Sequence, residues 1–300
     1  MPERVYKKDS KAIRLTILSI IVSLINFALK FGAYFITHSV AILSDATESI
    51  VNIISATMAF IGTKIALKPP DEEHPYGHTK IEYIFSIIEA LFIIAAGASI
   101  LWEALKSLSE RKPFHSFEEG AVVIGITIVL NACIAGVLYY QGKKERSPIL
   151  ISHGSHIFAD VLTSLGVILG LALAKWTGIF VLDPVIAILI GLHILKMGFS
   201  IVLESGSSLL DQSLPNETVQ EIRRTVEDLV KNSCYQDIVY EIANFKTRKA
   251  GRTGFVEFDV VLPPKLPLEI ACRIRACMEK EVKKRFPELV VSVHIRAKET

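Results

Sequence analysis

Residues 40–66 read VAILSDATESIVNIISATMAFIGTKIA, an apolar stretch that carries Asp45, Glu48 and Asn52 near its beginning. A helix of roughly 20 apolar residues crosses the hydrocarbon core of a bilayer. Carboxylates at that depth are costly, so they are rare and tend to face a partner or a water-filled path. The stretch therefore predicts a membrane-spanning helix whose polar side chains have a function.

Five more apolar blocks accompany this one and predict a six-helix transmembrane domain over residues 1–208. An even number of spans places both termini on one side of the membrane. The six predicted spans are Leu15–Ile36, Val40–Ala66, Tyr83–Leu105, Ala121–Tyr140, Ile151–Ala174 and Phe180–Met197.

The distribution of basic residues predicts which side of the membrane each loop occupies. Cytosolic loops of membrane proteins carry an excess of Lys and Arg. Here the excess lies before the first span and in the links between spans two and three and between spans four and five. We therefore expect a multi-pass protein of the cell (inner or plasma) membrane with both termini in the cytosol. The basic residues are Arg4, Lys7, Lys8, Lys11, Arg14, Lys64, Lys68, Lys80, Lys143, Lys144 and Arg146.

The composition excludes several other classes of protein. Of the 300 residues, 51% are hydrophobic and 21% are charged, and the mean hydropathy is +0.42, which excludes a wholly soluble globule and a disordered chain. The net charge of +2 does not indicate a nucleic-acid partner. No CxxC pair occurs, so the cysteines are predicted to be reduced thiols, and the first apolar block is too long for a cleavable signal. The cysteines are Cys133, Cys234, Cys272 and Cys277.

From about Leu210 the composition becomes that of a soluble domain, and residues 209–300 are predicted to lie in the cytosol. Helical spacing of apolar residues alternates here with strand-like patterns. The order αββαβ predicts a small two-layer α+β domain, with a turn over Lys249–Gly254. The predicted elements are Asn216–Lys231, Val239–Thr247, Phe255–Leu262, Leu266–Phe286 and Leu289–Ile295.

Two pairs of polar residues inside the predicted spans have matching spacing. Glu48 and Asn52 are four residues apart in the second span. His156 and Asp160 are four apart in the fifth, and His153 lies one turn before His156. This spacing stacks both side chains on one helix face, and two opposed faces would bring together a four-coordinate set for a first-row divalent cation. The alternative is a buried hydrogen-bond network or a proton relay without metal.

A second polar cluster lies in the loop after the second span, PPDEEHPYGHTK over residues 69–80. Asp71, His74 and His78 could converge on one ion there, with Pro75 and Gly77 shaping the turn. The alternative is a hydrated loop whose histidines contact only water.

With these motifs in view, the chain resembles the cation diffusion facilitator family over nearly its whole length. The resemblance rests on the histidine loop and the HxxxD of the fifth span taken together, with support from shorter matches. The matching segments are Ser39–Ala46, His74–Glu82, His156–Asp160, Asp183-Pro184 and Leu209–Asp211.

This resemblance implies a homodimeric exporter that exchanges a divalent cation for protons by alternating access. It assigns the transport site to Glu48, Asn52, His156 and Asp160, with Asp45 near the site. Zinc-carrying members have His or Asp and then Asp in the second span, so Glu48 and Asn52 depart from their pattern, which could favour iron, manganese or cobalt. Zn²⁺ remains the first expectation, because His156 supplies nitrogen. The loop histidines also follow the zinc and iron branch.

The family also implies sites outside the spans. Asp71, His74 and His78 would form a loop metal site. A charge pair of Lys80 with Asp211 would hold two protomers together near the membrane surface.

The cytosolic domain matches the family's metal-binding pattern poorly. Asp259, Cys272 and His294 remain as a candidate set for one ion. A metal-free, purely dimerising domain is the alternative.

Two other functional classes remain open at this point. One is a membrane metal sensor that does not transport. The other is an intramembrane metalloenzyme, which lacks support because the chain has no HExxH and no separate base or nucleophile beside the HxxxD. No prosthetic group is expected, and the partners expected are a divalent cation, protons, the lipid bilayer and a second copy of the chain.

Overall fold

The computed structural model describes residues 10–37, 40–109, 121–178, 181–231 and 236–298. These residues form two compact units, which meet in sequence between Gly206 and Ser207.

The first unit is built from long helices, and the prediction of six is confirmed. They contain between 25 and 30 residues, and at about 1.5 Å per residue each is longer than the hydrocarbon core of a bilayer is thick. Within the described residues, five of them contain a segment long and apolar enough to span a membrane, and α5 is a further apolar helix. The helices are α1 (Ser10–Thr37), α2 (Val40–Ala66), α3 (Ile81–Ser109), α4 (Ala121–Glu145), α5 (Pro148–Thr177) and α6 (Leu182–Leu209).

Helix α5 lies between two apolar clusters of the helical unit. On one side, Leu150 and Ile157 pack with Leu15 of α1 and Leu138 of α4. On another, Ala159 packs with side chains of α3 and α6. These contacts fix the rotation of α5 about its own axis, and therefore fix the direction in which its polar side chains point.

The second unit is an α+β domain with the predicted αββαβ order. Strand β2 is central; it pairs antiparallel with β1 and parallel with β3. The core consists of buried side chains of β2 and β3 packed against one face of each helix. The elements are α7 (Asn216–Lys231), β1 (Glu241–Ala250), β2 (Thr253–Leu262), α8 (Leu268–Arg285) and β3 (Leu289–Ala297).

The hairpin between β1 and β2 is tighter than the sequence predicted. Ala250 pairs with Thr253, so only two residues turn, whereas the predicted turn covered Lys249–Gly254. Gly251 makes this possible with a φ of +57°, a conformation that glycine adopts without a steric penalty. The glycine and basic residues of this stretch predicted a loop, but the pairing of β1 with β2 continues through most of it.

The cysteines that the structure describes are free thiols, as predicted. Cys133, Cys272 and Cys277 form no disulfide. Cys234 lies outside the described residues.

Gly154 of α5 lies against the backbone of α4. A Cβ atom added there would lie 2.9 Å from the amide nitrogen of Tyr139 and 3.1 Å from the carbonyl oxygen of Ala135. Backbone atoms cannot move aside as a side-chain end can, so Gly154→Ala should force the helices apart. We expect a loss of about 1–3 kcal/mol of stability, measured as a lower midpoint of thermal unfolding in detergent.

Gly136→Ala on α4 is the matched control, because a Cβ there meets no atom within 4 Å. That variant should keep the midpoint or raise it slightly, since alanine favours the helix. Equal midpoints for the two variants would contradict the close approach of α4 and α5 at Gly154.

Candidate metal sites

Polar side chains of α2 and α5 meet in the interior of the helical unit. The side-chain nitrogen of Asn52 donates a hydrogen bond to Oδ2 of Asp160 at 2.8 Å. Nε2 of His156 lies 3.2 Å from Oδ1 of Asn52. His156 is buried, and Asn52 and Asp160 are partly buried. The structure therefore brings together three of the four residues predicted for the transport site.

The fourth residue, Glu48, lies one turn before Asn52 in α2. Its side chain and that of Asp45 are outside the part of the structure that is described. The continuous helix places Glu48 and Asn52 on one face, as the four-residue spacing predicts.

The donor set of this site suits a divalent cation. Asn52 offers an amide oxygen, Asp160 a carboxylate and His156 an imidazole nitrogen, which are ligand types of first-row divalent metals. Nδ1 of His156 is buried and has no hydrogen-bond partner among the residues that the structure describes. Asn52 bridges the other two side chains, and a bound ion would replace that bridge with bonds to the same oxygens and nitrogen.

The loop before α3 gathers the three residues predicted for the second site. The ligand atoms of Asp71, His74 and His78 all lie within 4.8 Å of one another. Nδ1 of His74 is 3.3 Å from Oδ1 of Asp71, and Nε2 of His78 is 3.3 Å from Oδ2. One carboxylate thus faces two imidazoles, an arrangement that fits a zinc-like ion.

The backbone of this loop shapes the cluster. The amide of His74 donates to Oδ1 of Asp71 at 2.7 Å, and the amide of Gly77, at φ +84°, donates to the carbonyl of His74. That bond from His74 lowers the pKa of Asp71, and the charge of His78 contributes in the same direction. Asp71 therefore stays ionised in mildly acidic solution.

A third polar cluster lies deep in the helical unit, and the sequence reasoning missed one of its members, Glu89 of α3. Oε1 of Glu89 lies 3.3 Å from Nδ1 of His153, and each side chain is 1% exposed. Ser55 of α2 donates to Glu89 at 2.7 Å, and Oγ of Ser19 of α1 lies 2.7 Å from Nε2 of His153. An acidic residue inside an apolar block was the available signal. No second ionisable or amide side chain lies three or four residues from it, in contrast to the pairs of the second and fifth spans.

The candidate residues of the cytosolic unit are not gathered in the same way. Asp259 accepts hydrogen bonds from Asn244 at 2.7 Å and from Arg296 at 3.3 Å, and it lies opposite His294 in the β2–β3 pairing. Cys272 is exposed on α8. Among the described residues, these three do not form a cluster of metal-ligand atoms within one chain.

The members of the predicted charge pair belong to different units. Lys80 lies immediately before α3. Asp211 follows α6, has a φ of +60° and pairs with Arg248 of β1 at 3.2 Å. The pairing of Lys80 with Asp211 remains a prediction.

Comparison with known protein families identifies both units. Residues 16–210 match the cation efflux transmembrane domain, and residues 214–297 match the cytoplasmic domain of cation efflux proteins. The chain belongs to the cation efflux family. The chain is therefore a multi-pass membrane protein that belongs to a family of transporters. Its transmembrane domain is followed by a cytosolic α+β domain, as the motifs indicated.

Several relatives of this cation efflux protein match along most of its length. An uncharacterized transporter of Synechocystis sp., sll1263, is 36% identical over 282 residues, which cover 93% of this chain and 88% of the relative. The cation-efflux pump FieF of Pectobacterium atrosepticum is 27% identical, covering 91% of this chain and 88% of the pump. A solved structure of CzrB in its zinc form is 30% identical, covers 29% of this chain and 93% of that one, and has a TM-score of 0.27.

The loop cluster generates a test of its own. Asp71→Asn replaces the carboxylate that faces both imidazoles with a neutral amide, so the loop should bind Zn²⁺ at least about tenfold more weakly, or about 1.4 kcal/mol. Isothermal titration of Zn²⁺ into the detergent-solubilised variant should then show one tight binding site fewer than the wild type.

Glu72→Gln is the matched control, because Glu72 is an exposed neighbour outside the cluster. It should retain both the number of sites and their affinity. An unchanged titration for Asp71→Asn would show that the loop does not bind the ion through Asp71.

Proposed function

We propose that this cation efflux protein exports a divalent metal ion from the cytosol in exchange for protons, with Zn²⁺ as the first candidate substrate. The observation that carries the proposal is the convergence of Asn52, His156 and Asp160 from α2 and α5. Polar and ionisable side chains are costly to bury inside a membrane. When two membrane-spanning helices bring such groups together, we expect the site to lie on the path of an ion through the membrane.

The exchange follows from the chemistry of the ligands. A cation that enters from the cytosol binds deprotonated Asp160 and neutral His156, so its arrival releases the protons that these groups held. Movement of the helices then opens the site to the other side. Protons there compete for the same atoms, the ion leaves, and the protonated site returns. The same side chains thus bind the metal ion and the protons in turn.

The choice of metal depends on the donors. Three oxygen ligands and one nitrogen, counting Glu48, accept Zn²⁺ but also suit Fe²⁺, Mn²⁺ and Co²⁺, since oxygen donors discriminate less strongly among these ions than thiolates do. The neutral amide of Asn52 reduces the negative charge of the site. We propose Zn²⁺ first because of His156, with Fe²⁺, Mn²⁺ and Co²⁺ as alternatives.

The proposed orientation places both termini in the cytosol, as the positive charges of the loops favour. The proposed functional form is a homodimer. Lys80 and Asp211 would contribute to its contact near the membrane surface.

The transport role of the α2–α5 site is tested by Asp160→Ala. Loss of the carboxylate should reduce metal flux into proteoliposomes to the level of liposomes without protein, both with and without a pH gradient. Thermal unfolding and size-exclusion chromatography should show a folded protein. Full flux would exclude Asp160 as a ligand of the transported ion.

Thr163→Ala serves as the control for a polar change on the same helix. Its hydroxyl donates only to the carbonyl of Ala159, one turn earlier in α5. We expect flux close to that of the wild type. A folded wild type that binds metal and moves none, with any gradient, would favour the sensor function instead.

Asn52→Asp tests how the amide sets selectivity. A second carboxylate beside Asp160 strengthens the attraction for every divalent ion and also for protons. We expect Zn²⁺ to bind about tenfold more tightly at alkaline pH, with the gain lost on acidification. Isothermal titrations with Zn²⁺, Mn²⁺ and Co²⁺ at two pH values measure both effects. Equal affinities for wild type and variant at every pH would contradict a role for Asn52 at the ion.

A further inference from the structure

We propose that Glu89 and His153 form a proton-holding pair that is separate from the metal ligands and releases a proton when a cation occupies the α2–α5 site. The inference rests on the proposed cation–proton exchange and identifies two residues that would contribute to it. The pair uses a helix, α3, that supplies none of the four predicted transport ligands.

The pair is enclosed by four helices. Glu89 comes from α3 and His153 from α5, and their closest charged atoms are 3.3 Å apart with both side chains 1% exposed. Ser55 of α2 donates to Oε2 of Glu89, and Oγ of Ser19 of α1 contacts Nε2 of His153. The hydroxyls solvate the pair in place of water, which hardly reaches it.

The surroundings determine how many protons the pair holds. Among the described residues, His153 of α5 is the titratable group in contact with Glu89, and His156 of the same helix acts on it electrostatically, while α2 and α1 contribute the hydroxyls of Ser55 and Ser19. No described group beside it supplies a permanent positive charge. A carboxylate and a neutral imidazole would leave a net negative charge in a nonpolar interior, which is unfavourable. The pair is neutral when it holds one additional proton, either on Glu89 or on His153.

The pair lies next to the site where the cation is proposed to bind. His153 is one turn before His156 on α5, and Ser55 is three residues after Asn52 on α2. On α3, Glu89 faces His153, and Phe92, three residues later, presents its ring edge to His156. Helices α2, α3 and α5 therefore contribute side chains to both clusters, which lie one helical turn apart.

Occupation of the site by a cation changes the balance of charge. Of the four predicted ligands, Glu48 and Asp160 can carry a negative charge. While the site is empty, that charge favours a proton on the nearby Glu89–His153 pair, and the two positive charges of the ion remove this attraction. The proton on the Glu89–His153 pair is then held less strongly. Its N–H or O–H bond breaks, and the proton leaves to the water of the path by which the ion entered. The pair becomes negative by one unit and offsets part of the charge of the ion. Departure of the ion reverses these changes, because the pair takes a proton back.

Counting the protons released on binding tests this role. Isothermal titration with Zn²⁺ in two buffers of different ionisation enthalpy gives the number of protons released per ion. The titration uses the full chain with Asp71→Asn, so that the loop cluster does not contribute. Adding Glu89→Gln, or His153→Gln, should lower the number by up to about one while Zn²⁺ still binds. It should also flatten the dependence of Zn²⁺ affinity on pH.

Glu82→Gln is the matched control, since Glu82 is another buried carboxylate of α3, two turns earlier, where it contacts Ser147. It should leave the proton count unchanged. An unchanged count for Glu89→Gln, an equal decrease for Glu82→Gln, or complete loss of Zn²⁺ binding in both pair variants would overturn the proposal. If either pair variant fails to fold, the other one decides.

The outcomes also separate this inference from the proposed exchange. Residual proton flux through His156 and Asp160 should persist in Glu89→Gln proteoliposomes, but with fewer protons per ion. A wild type that releases no protons on binding Zn²⁺ overturns the exchange and this inference together. A wild type that does release them, with Glu89→Gln unchanged, overturns only the role of the pair.

Discussion

Polar side chains inside a membrane-spanning bundle must find partners on other helices, since neither lipid nor water satisfies them there. This requirement links α1, α2, α3 and α5. Asn52 bridges His156 and Asp160, and Glu89 meets His153 one turn away. Each contact joins two helices, so the polar groups of the interior also fix how the helices face one another.

The apolar packing around α5 holds these polar side chains in a defined arrangement. One face of α5 is held by α1 and α4 and another by α3 and α6. At Gly154 the absence of a side chain lets α5 approach the backbone of α4. Its polar face is left to α2 and α3. A site divided between helices in this way loses its geometry when they move relative to each other, which is the property that alternating access requires.

The sequence predicted the features that depend on local spacing. Apolar length indicated six helices, four-residue spacing grouped His156 with Asp160, and a short loop gathered Asp71 with His74 and His78. The partner of His153 could not be predicted, because it depends on the rotation of α3 against α5. That rotation is set by packing across the bundle and cannot be predicted from the sequence of one helix. In the cytosolic domain, the pairing of β2 with β3 brings Arg296 to Asp259, a contact that the residue type of Asp259 alone did not indicate.

The two clusters differ in how they balance the charge of a cation. At the loop, Asp71 and His74 are exposed, so water and salt screen the ion, and binding there need not be coupled to the charge of other groups. In the interior such screening is weak, and a doubly charged ion is stable only if protons leave as it enters. In the proposed mechanism, proton exchange therefore takes place at the buried clusters. If Asn52 is a ligand as proposed, its amide carries no charge to balance the ion, and the nearby carboxylate of Glu89 would provide part of that balance.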